Sequence, residues 1–362
     1  MEDQSVQVSE SAVLNALKSI KDPDLHRDIV SLGFVQEVKI CGGQVAFKIV
    51  LTTPACPVRD KMRDEAKAVV SALPGVTQVN VTMDAKVGAT QGIPEKQAIP
   101  GIRNILVVGS GKGGVGKSTV AANLAISLAQ MGARVGLMDG DIYGPNIPLM
   151  LGITEQPIVQ NERVVPVIKH GLKVISMGFF NRGDTPVIWR GPMLHSAIQQ
   201  FLKQVSWGEL DYLMVDLPPG TGDVQLTMVQ SVPLTGAVVV STPQDVALQD
   251  ARKAIMMFKQ MKVDILGVVE NMSYFLCPQC HHRSDIFSHG GARKASEKFE
   301  VPFLGEIPLD VSIREGGDTG LPITISQPDS DLSKIFTRVA EQLAAQISIS
   351  NFKQPGVPAV VM

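Results

Sequence analysis

Apolar residues in the first eighty positions follow two periods. Val13, Leu14, Leu17 and Ile20 recur at three- and four-residue steps, which places them on one face of a helix. Two strand-like runs follow at 34–40 and 45–51, the second with Val45, Phe47, Ile49 and Leu51 on one face. Cys41-Gly42-Gly43 between them reads as a hairpin turn. Val58, Met62, Ala66, Val69 and Leu73 mark a second helix that Pro74-Gly75 stops, and 76–83 reads as a third strand. The order α-β-β-α-β predicts a small α+β domain over residues 1–84.

Residues 85–101 lose all periodicity and carry three Gly and two Pro, the composition of a flexible linker between domains that move relative to each other. From Asn104 short β-branched runs alternate with helical stretches. Strands are expected at 104–109, 134–138, 211–215, 236–241, 264–270 and 302–307, and helices near 117–130, 192–205, 245–260, 291–299 and 331–347. Such alternation predicts an α/β fold over 102–348, with a mainly parallel sheet covered by helices on both faces. Residues 349–362, broken by Pro355 and Pro358, read as an irregular tail.

Composition narrows the function. Lys+Arg of 33 against Asp+Glu of 35 leaves no basic excess, and 12 Phe, 3 Tyr and 2 Trp give few rings for base stacking, so no nucleic-acid partner is expected. The start of the chain is polar and acidic rather than signal-like, and apolar runs such as 105–108 and 237–240 are far too short to span a bilayer. Four cysteines in 362 residues make no disulfide framework, so a cytoplasmic protein with reduced thiols and no membrane partner is expected.

Gly111-Lys112-Gly113-Gly114-Val115-Gly116-Lys117-Ser118 fits the phosphate-cradling pattern G-x-x-x-x-G-K-[ST]. A strand runs in and a helix runs out, so backbone N–H groups and a helix N-terminus converge on phosphate. Lys117 would reach the β- and γ-phosphate oxygens and Ser118 would ligate Mg²⁺. The apolar run 213–215 ends in Asp216, the position of a second Mg²⁺ ligand, and Pro218-Pro219-Gly220-Thr221-Gly222-Asp223 suits a γ-phosphate sensor. Asp139 and Asp141 close another strand; solvated turn carboxylates are the plain alternative for both.

These motifs resemble the Mrp/ApbC family of iron–sulfur cluster carriers, of the same broad class as nitrogenase iron protein and the septum-site ATPase MinD. The resemblance rests on the second lysine, Lys112, of the phosphate loop, on Asp139-Gly-Asp141-Ile-Tyr-Gly-Pro-Asn, on Trp189-Arg190-Gly191-Pro192-Met193, on Asp216-Leu-Pro-Pro-Gly-Thr-Gly-Asp223, on Thr242-Pro-Gln-Asp245 and on Val269-Glu-Asn-Met-Ser273. It implies that residues 111–119, Thr119 included, hold ATP and that Asn271, Pro308 and Asp310 hold the adenine. It also implies that Lys112 reaches across a homodimer to the partner's phosphates, and that Asp141 orients the attacking water.

Cys277-Pro278-Gln279-Cys280 can clasp one soft ion or cluster. A haem-attachment reading, a thioredoxin-like redox pair and a half zinc ribbon using His281, His282 or His289 all compete with a shared cluster. A [4Fe–4S] cluster takes four cysteine ligands, and two chains on a two-fold axis would supply them. The carrier resemblance implies that arrangement. Cys56 precedes the helix expected at 58–72, as its N-cap with Pro57 in the first position, which would lower its pKa. Asp22-Pro-Asp24-Leu and Asp28-Ile-Val-Ser-Leu-Gly33 around it resemble the MIP18-type domain of iron–sulfur assembly factors, which implies a transient metal or cluster ligand; an inert thiol is the alternative. The expected function is thus ATP-coupled transfer of [4Fe–4S] clusters to apo iron–sulfur proteins, with cluster scaffold proteins as further partners. The rival is a MinD- or ParA-like positioning ATPase with a structural zinc, against which stands the broken tail, Gln354-Pro-Gly-Val-Pro358, where a basic amphipathic helix would be needed.

Overall fold

A computed structural model describes residues 8–89, 98–141, 144–180, 191–220 and 222–353. The chain divides into two compact units, within residues 1–88 and 89–351. The first holds α1 (Glu10–Leu17), β1 (Val35–Cys41), β2 (Gln44–Leu51), α2 (Arg59–Ser71) and β3 (Gln78–Ala85). Central β2 pairs antiparallel with β1 and parallel with β3. Its Val45, Phe47, Ile49 and Leu51 are buried in one core with Val13 and Leu17 of α1 and Met62, Ala66 and Val70 of α2. The period-2 stripe of the sequence therefore meets two period-3.6 stripes.

The second unit contains β4 (Ile105–Gly109), α3 (Lys117–Gln130), β5 (Val135–Asp139), α4 (Ile147–Met150), β6 (Ile158–Gln160), β7 (Arg163–Val165), β8 (Val167–Lys169) and β9 (Leu172–Ser176). It continues with α5 (Gly191–Lys203), β10 (Tyr212–Asp216), α6 (Asp223–Ser231), β11 (Gly236–Ser241), α7 (Asp245–Gln260), β12 (Ile265–Leu276) and β13 (Arg283–Ser284). α8 (Gly291–Lys298), β14 (Phe303–Leu309), α9 (Val311–Thr319), α10 (Ile323–Ser326) and α11 (Asp331–Lys353) complete it. One sheet runs β13-β12-β11-β4-β10-β5-β9-β8, with β14 also on β12; its interior pairs are parallel and β8 and β13 are antiparallel. Every residue of β4, β5, β10 and β11 is buried, as a sheet covered on both faces requires. Sequence and structure agree on the mainly parallel α/β architecture.

Three differences matter for the site. β12 runs on to Leu276 instead of stopping near 270, because its far end pairs with β13, Phe275 opposite Ser284 and Leu276 opposite Arg283. The expected irregular tail begins later, since α11 continues to Lys353: Ser350 Oγ donates to Asp264 Oδ2 at 3.0 Å and Asn351 Nδ2 to Asn104 Oδ1 at 3.0 Å. β8 and β9 were not anticipated; a turn with His170 (φ 49°) and Gly171 (φ 78°) joins them, β8 is only three residues long, and Lys173 interrupts the apolar run of β9. Ile142, Tyr143, Trp189, Arg190, Thr221, residues 354–358 and part of the 85–101 stretch lie outside the described residues. Among the described residues no helix is long and apolar enough to cross a membrane.

Candidate functional site

The phosphate loop leaves β4 at Gly109 and enters α3 at Lys117, with Gly116 as N-cap. Gly114 (φ 79°) and Gly116 (φ 78°) are left-handed, a region that favours glycine. A Cβ on Gly116 would stand 2.2 Å from Asn271 Nδ2, and one on Gly111 2.0 Å from the Asp250 carbonyl carbon, so both positions are held to glycine by close approach. A cavity of about 440 Å³ opens here, lined by Lys112 to Thr119 together with Asp141, Asn271, Pro308 and Asp310. Residues expected to meet nucleotide from four separate stretches therefore share one cavity. Asn271 Nδ2 donates to the Val115 carbonyl at 2.9 Å, which ties β12 to the loop.

The charges lie beneath. Lys117 Nζ sits 2.5 Å from Asp216 Oδ1, with the two side chains only 6% and 1% exposed. Burial holds the Asp216 carboxyl above the ordinary range, and the lysine opposes that shift. Its other oxygen, Oδ2, has no hydrogen-bond partner among the described residues, while the Ser118 hydroxyl also faces this carboxylate. A hard cation takes such oxygen donors, so the Ser118–Asp216 pair fits Mg²⁺. Lys112 Nζ lies 3.5 Å from Gln244 Oε1, at the head of α7.

Asp139 corrects the picture of a solvated turn acid. It is fully buried, in register with Asp216 on one side and Ser176 on the other. Its oxygens accept from Asp141 N at 3.1 Å, Ile147 N at 3.3 Å and Ser176 Oγ at 2.9 Å. Burial, and then the Asp216 charge, push its pKa up to about 7. Asp141 is half-buried and accepts the Gly144 N–H at 3.1 Å. The signal for Asp139 was present: it closes a five-residue strand too apolar to have any wet face.

The thiols of Cys277 and Cys280 sit in the hairpin between β12 and β13, closed by Cys277 N to His282 O at 3.0 Å and His281 N to Cys277 O at 2.8 Å. N–H groups of Cys280 and Gln279, then the Cys280 thiol, point at Cys277 sulfur and hold its pKa below the usual thiol range. His281 is left-handed (φ 55°), so the chain turns back after Cys280 instead of entering a helix. This geometry opposes a thioredoxin-like pair and suits a metal-clasping loop. His289 lies within 4 Å of Glu270 and Glu306. Cys56 is not the N-cap expected. α2 starts at Arg59 with Val58 as cap, and the Cys56 carbonyl accepts the Arg59 N–H at 3.3 Å. A turn over 54–58, begun by Ala55 N donating to Thr53 Oγ1 at 3.1 Å, delays the helix. Cys41 is exposed and closes β1 opposite Gln44, so the hairpin turn itself is Gly42-Gly43.

A mainly parallel sheet, a glycine-rich loop entering a buried helix and an acid on the neighbouring strand define a P-loop NTPase with a MinD-like fold. More narrowly, the chain belongs to the NUBPL iron-transfer P-loop NTPase family, whose pattern matches residues 101–344; residues 10–82 match the family described as iron-sulfur cluster assembly protein. It is 52% identical to the iron-sulfur cluster carrier protein of Synechocystis over 345 residues, covering 94% of this chain and 98% of that one. It is 40% identical to the Escherichia coli protein of the same description (92% and 91% covered) and 47% identical to the mouse iron-sulfur cluster transfer protein NUBPL (72% and 83%). Among solved structures it is similar to a nucleotide-binding protein from Archaeoglobus fulgidus in complex with ADP, with 40% identity, TM-score 0.57 and 65% and 92% of the two chains covered. The cell division ATPase MinD of Pyrococcus furiosus follows at 27%, TM-score 0.51 and 66% and 97%.

Proposed function

We propose that this protein is an ATPase that carries an iron–sulfur cluster and hands it to apo-proteins in the cytoplasm, working as a homodimer. One observation carries the reading: β12 places Asn271 in the nucleotide cavity and delivers Cys277 directly beyond its last residue, Leu276. Two sites of different chemistry thus share one strand. Family membership and the carrier and transfer names of the relatives support the same reading.

Each side chain then has a task. Lys117 leaves Asp216 for the β- and γ-phosphate oxygens, and Ser118 and Asp216 hold Mg²⁺. The ion supplies charge neutralisation of the phosphates. Asp141 orients the attacking water, with its backbone N–H tethered to Asp139. Asn271, Pro308 and Asp310 line the adenine end, and Lys112 reaches the partner's phosphates. Cys277 and Cys280 from two chains supply the four thiolates of a [4Fe–4S] cargo, which cluster scaffold proteins deliver. Cys56 in the first unit is a transient ligand for the same cargo.

Anaerobic reconstitution tests this. Iron should reach about four per dimer with broad visible absorbance, and Cys277→Ser or Cys280→Ser should lose both while still binding ATP. Tight zinc at one per chain with rejection of iron would overturn the carrier reading.

A further inference from the structure

One side chain outside every motif spans the loop that follows Asp216. Gln225 occupies the third position of α6, whose N-cap is Gly222, and is 2% exposed. Its Oε1 accepts the Gly222 N–H at 3.0 Å, as a helix-capping glutamine does. Its Nε2 turns back further and donates to the Pro218 carbonyl at 2.8 Å and the Gly220 carbonyl at 3.0 Å. Both N–H hydrogens and the carbonyl are therefore committed to three backbone points of one short loop. A buried carboxamide left without these partners would be costly, so amide and loop hold each other in place.

The loop needs such a brace. Gly220 (φ 95°) and Gly222 have no side chain to restrict them. Gly220 N also donates to the Ser110 carbonyl at 2.9 Å, which ties this stretch to the phosphate loop. Pro219, between the two braced carbonyls, lines the same cavity as Lys117 and Asp141. We propose that Gln225 is a positioning residue for the third phosphate: it presets Pro218, Pro219, Gly220 and Gly222 against the γ-phosphate end of the cavity, so that the site distinguishes ATP from ADP. The inference rests on the ATPase reading above.

Gln225→Met keeps the length and helix preference of the side chain and removes all three hydrogen bonds. In the full chain with Mg²⁺, ATP should bind about tenfold more weakly, the equivalent of roughly one net hydrogen bond. ADP affinity should stay within about twofold of the unsubstituted protein, and kcat should fall with ATP affinity. Equal weakening of both nucleotides, or an unchanged ATP-to-ADP ratio with unchanged kcat, would overturn the proposal, since a loss of folded protein cannot change that ratio. Gln225→Glu gives an independent check should the methionine variant not fold. Its carboxylate keeps the Gly222 contact but cannot donate to Pro218 and Gly220; protonation restores one donor. Its ATP selectivity should be poor at neutral pH and improve as pH falls, and selectivity equal to the unsubstituted protein at all pH would refute the brace. Failure of the unsubstituted protein to bind ATP at all would instead remove the ATPase reading, and the inference with it.

Discussion

Lys117→Ala in the nucleotide-free protein tests the electrostatics at the centre of the site. The substitution leaves Asp216 at 0% exposure without its counter-charge and with buried Asp139 on the adjacent strand. A carboxylate in that position takes up a proton rather than stay charged, which limits the cost. Each pH unit above the ordinary value of 3.8 costs about 1.36 kcal/mol, so the ceiling is about 5 kcal/mol at pH 7.5 and about 2 kcal/mol at pH 5.5. Deleting the lysine also removes the expense of burying its ammonium, so the net loss at pH 7.5 should be about 2–4 kcal/mol. The sign follows from a carboxyl whose folded pKa is raised: between its unfolded and folded values the folded state holds a proton that the unfolded chain has released. Stability from that source is complete at low pH and lost as pH rises, so the deficit should grow from pH 5.5 to 7.5. Urea unfolding followed by tryptophan fluorescence measures it, because Trp189 and Trp207 both lie in the nucleotide-binding part of the chain. Adding Asp216→Asn should recover part of the loss. A deficit independent of pH, or a double variant that simply adds the two single effects, would refute the buried-pair argument.

Gly116→Ala should leave the protein folded but weaken ATP binding by about tenfold or more, because φ of 78° and the 2.2 Å approach of Asn271 Nδ2 both exclude a methyl group; calorimetric titration checks it. Lys112→Ala should lower kcat while the KM for ATP stays within about twofold, and the reverse split would place the lysine on the phosphates of its own chain. In metal-free Cys280→Ser protein, whose hydroxyl still faces Cys277, the alkylation rate of Cys277 should rise with pH through a midpoint below the usual thiol range; an ordinary midpoint would mean that the hairpin N–H groups do not favour the thiolate.

Elements that bury a whole face were legible in the chain. The alternating Val45, Phe47, Ile49 and Leu51 gave the central strand of the first unit, and the continuous apolar runs gave the interior strands of the second, because burial writes its period directly into the sequence. Ends and short edge elements were not legible. The far half of β12, from Asn271 to Leu276, depends on β14, with Asn271 opposite Ile307 and Phe275 opposite Leu309, and at its last two residues on β13, a partner of only two residues that lies beyond the cysteines. Likewise the last turns of α11 depend on Asn104 and Asp264, more than eighty residues away in sequence. No local pattern records such pairings.

The candidate site divides the same way. Glycines and Lys117 could be read because a phosphate cradle needs backbone N–H groups and one cation at fixed spacing. Cys56 was misplaced because Thr53 begins a turn that competes with the helix start, and a Cys-Pro pair alone does not show which wins. Gln225 stayed hidden, and the burial of Asp139 went unread, for a different reason. A glutamine announces no chemistry, and an aspartate at a strand end reads equally as a solvated turn acid; both matter here because they are buried with their polar atoms committed to hydrogen bonds, Asp139 to the Ser176 hydroxyl as well as to backbone N–H groups. Asp139 holds the N–H groups of Asp141 and Ile147, and Gln225 holds Pro218, Gly220 and Gly222. Sequence motifs thus expose the atoms expected to touch nucleotide, whereas the residues that fix where those atoms stand emerge only once burial and hydrogen bonding are known.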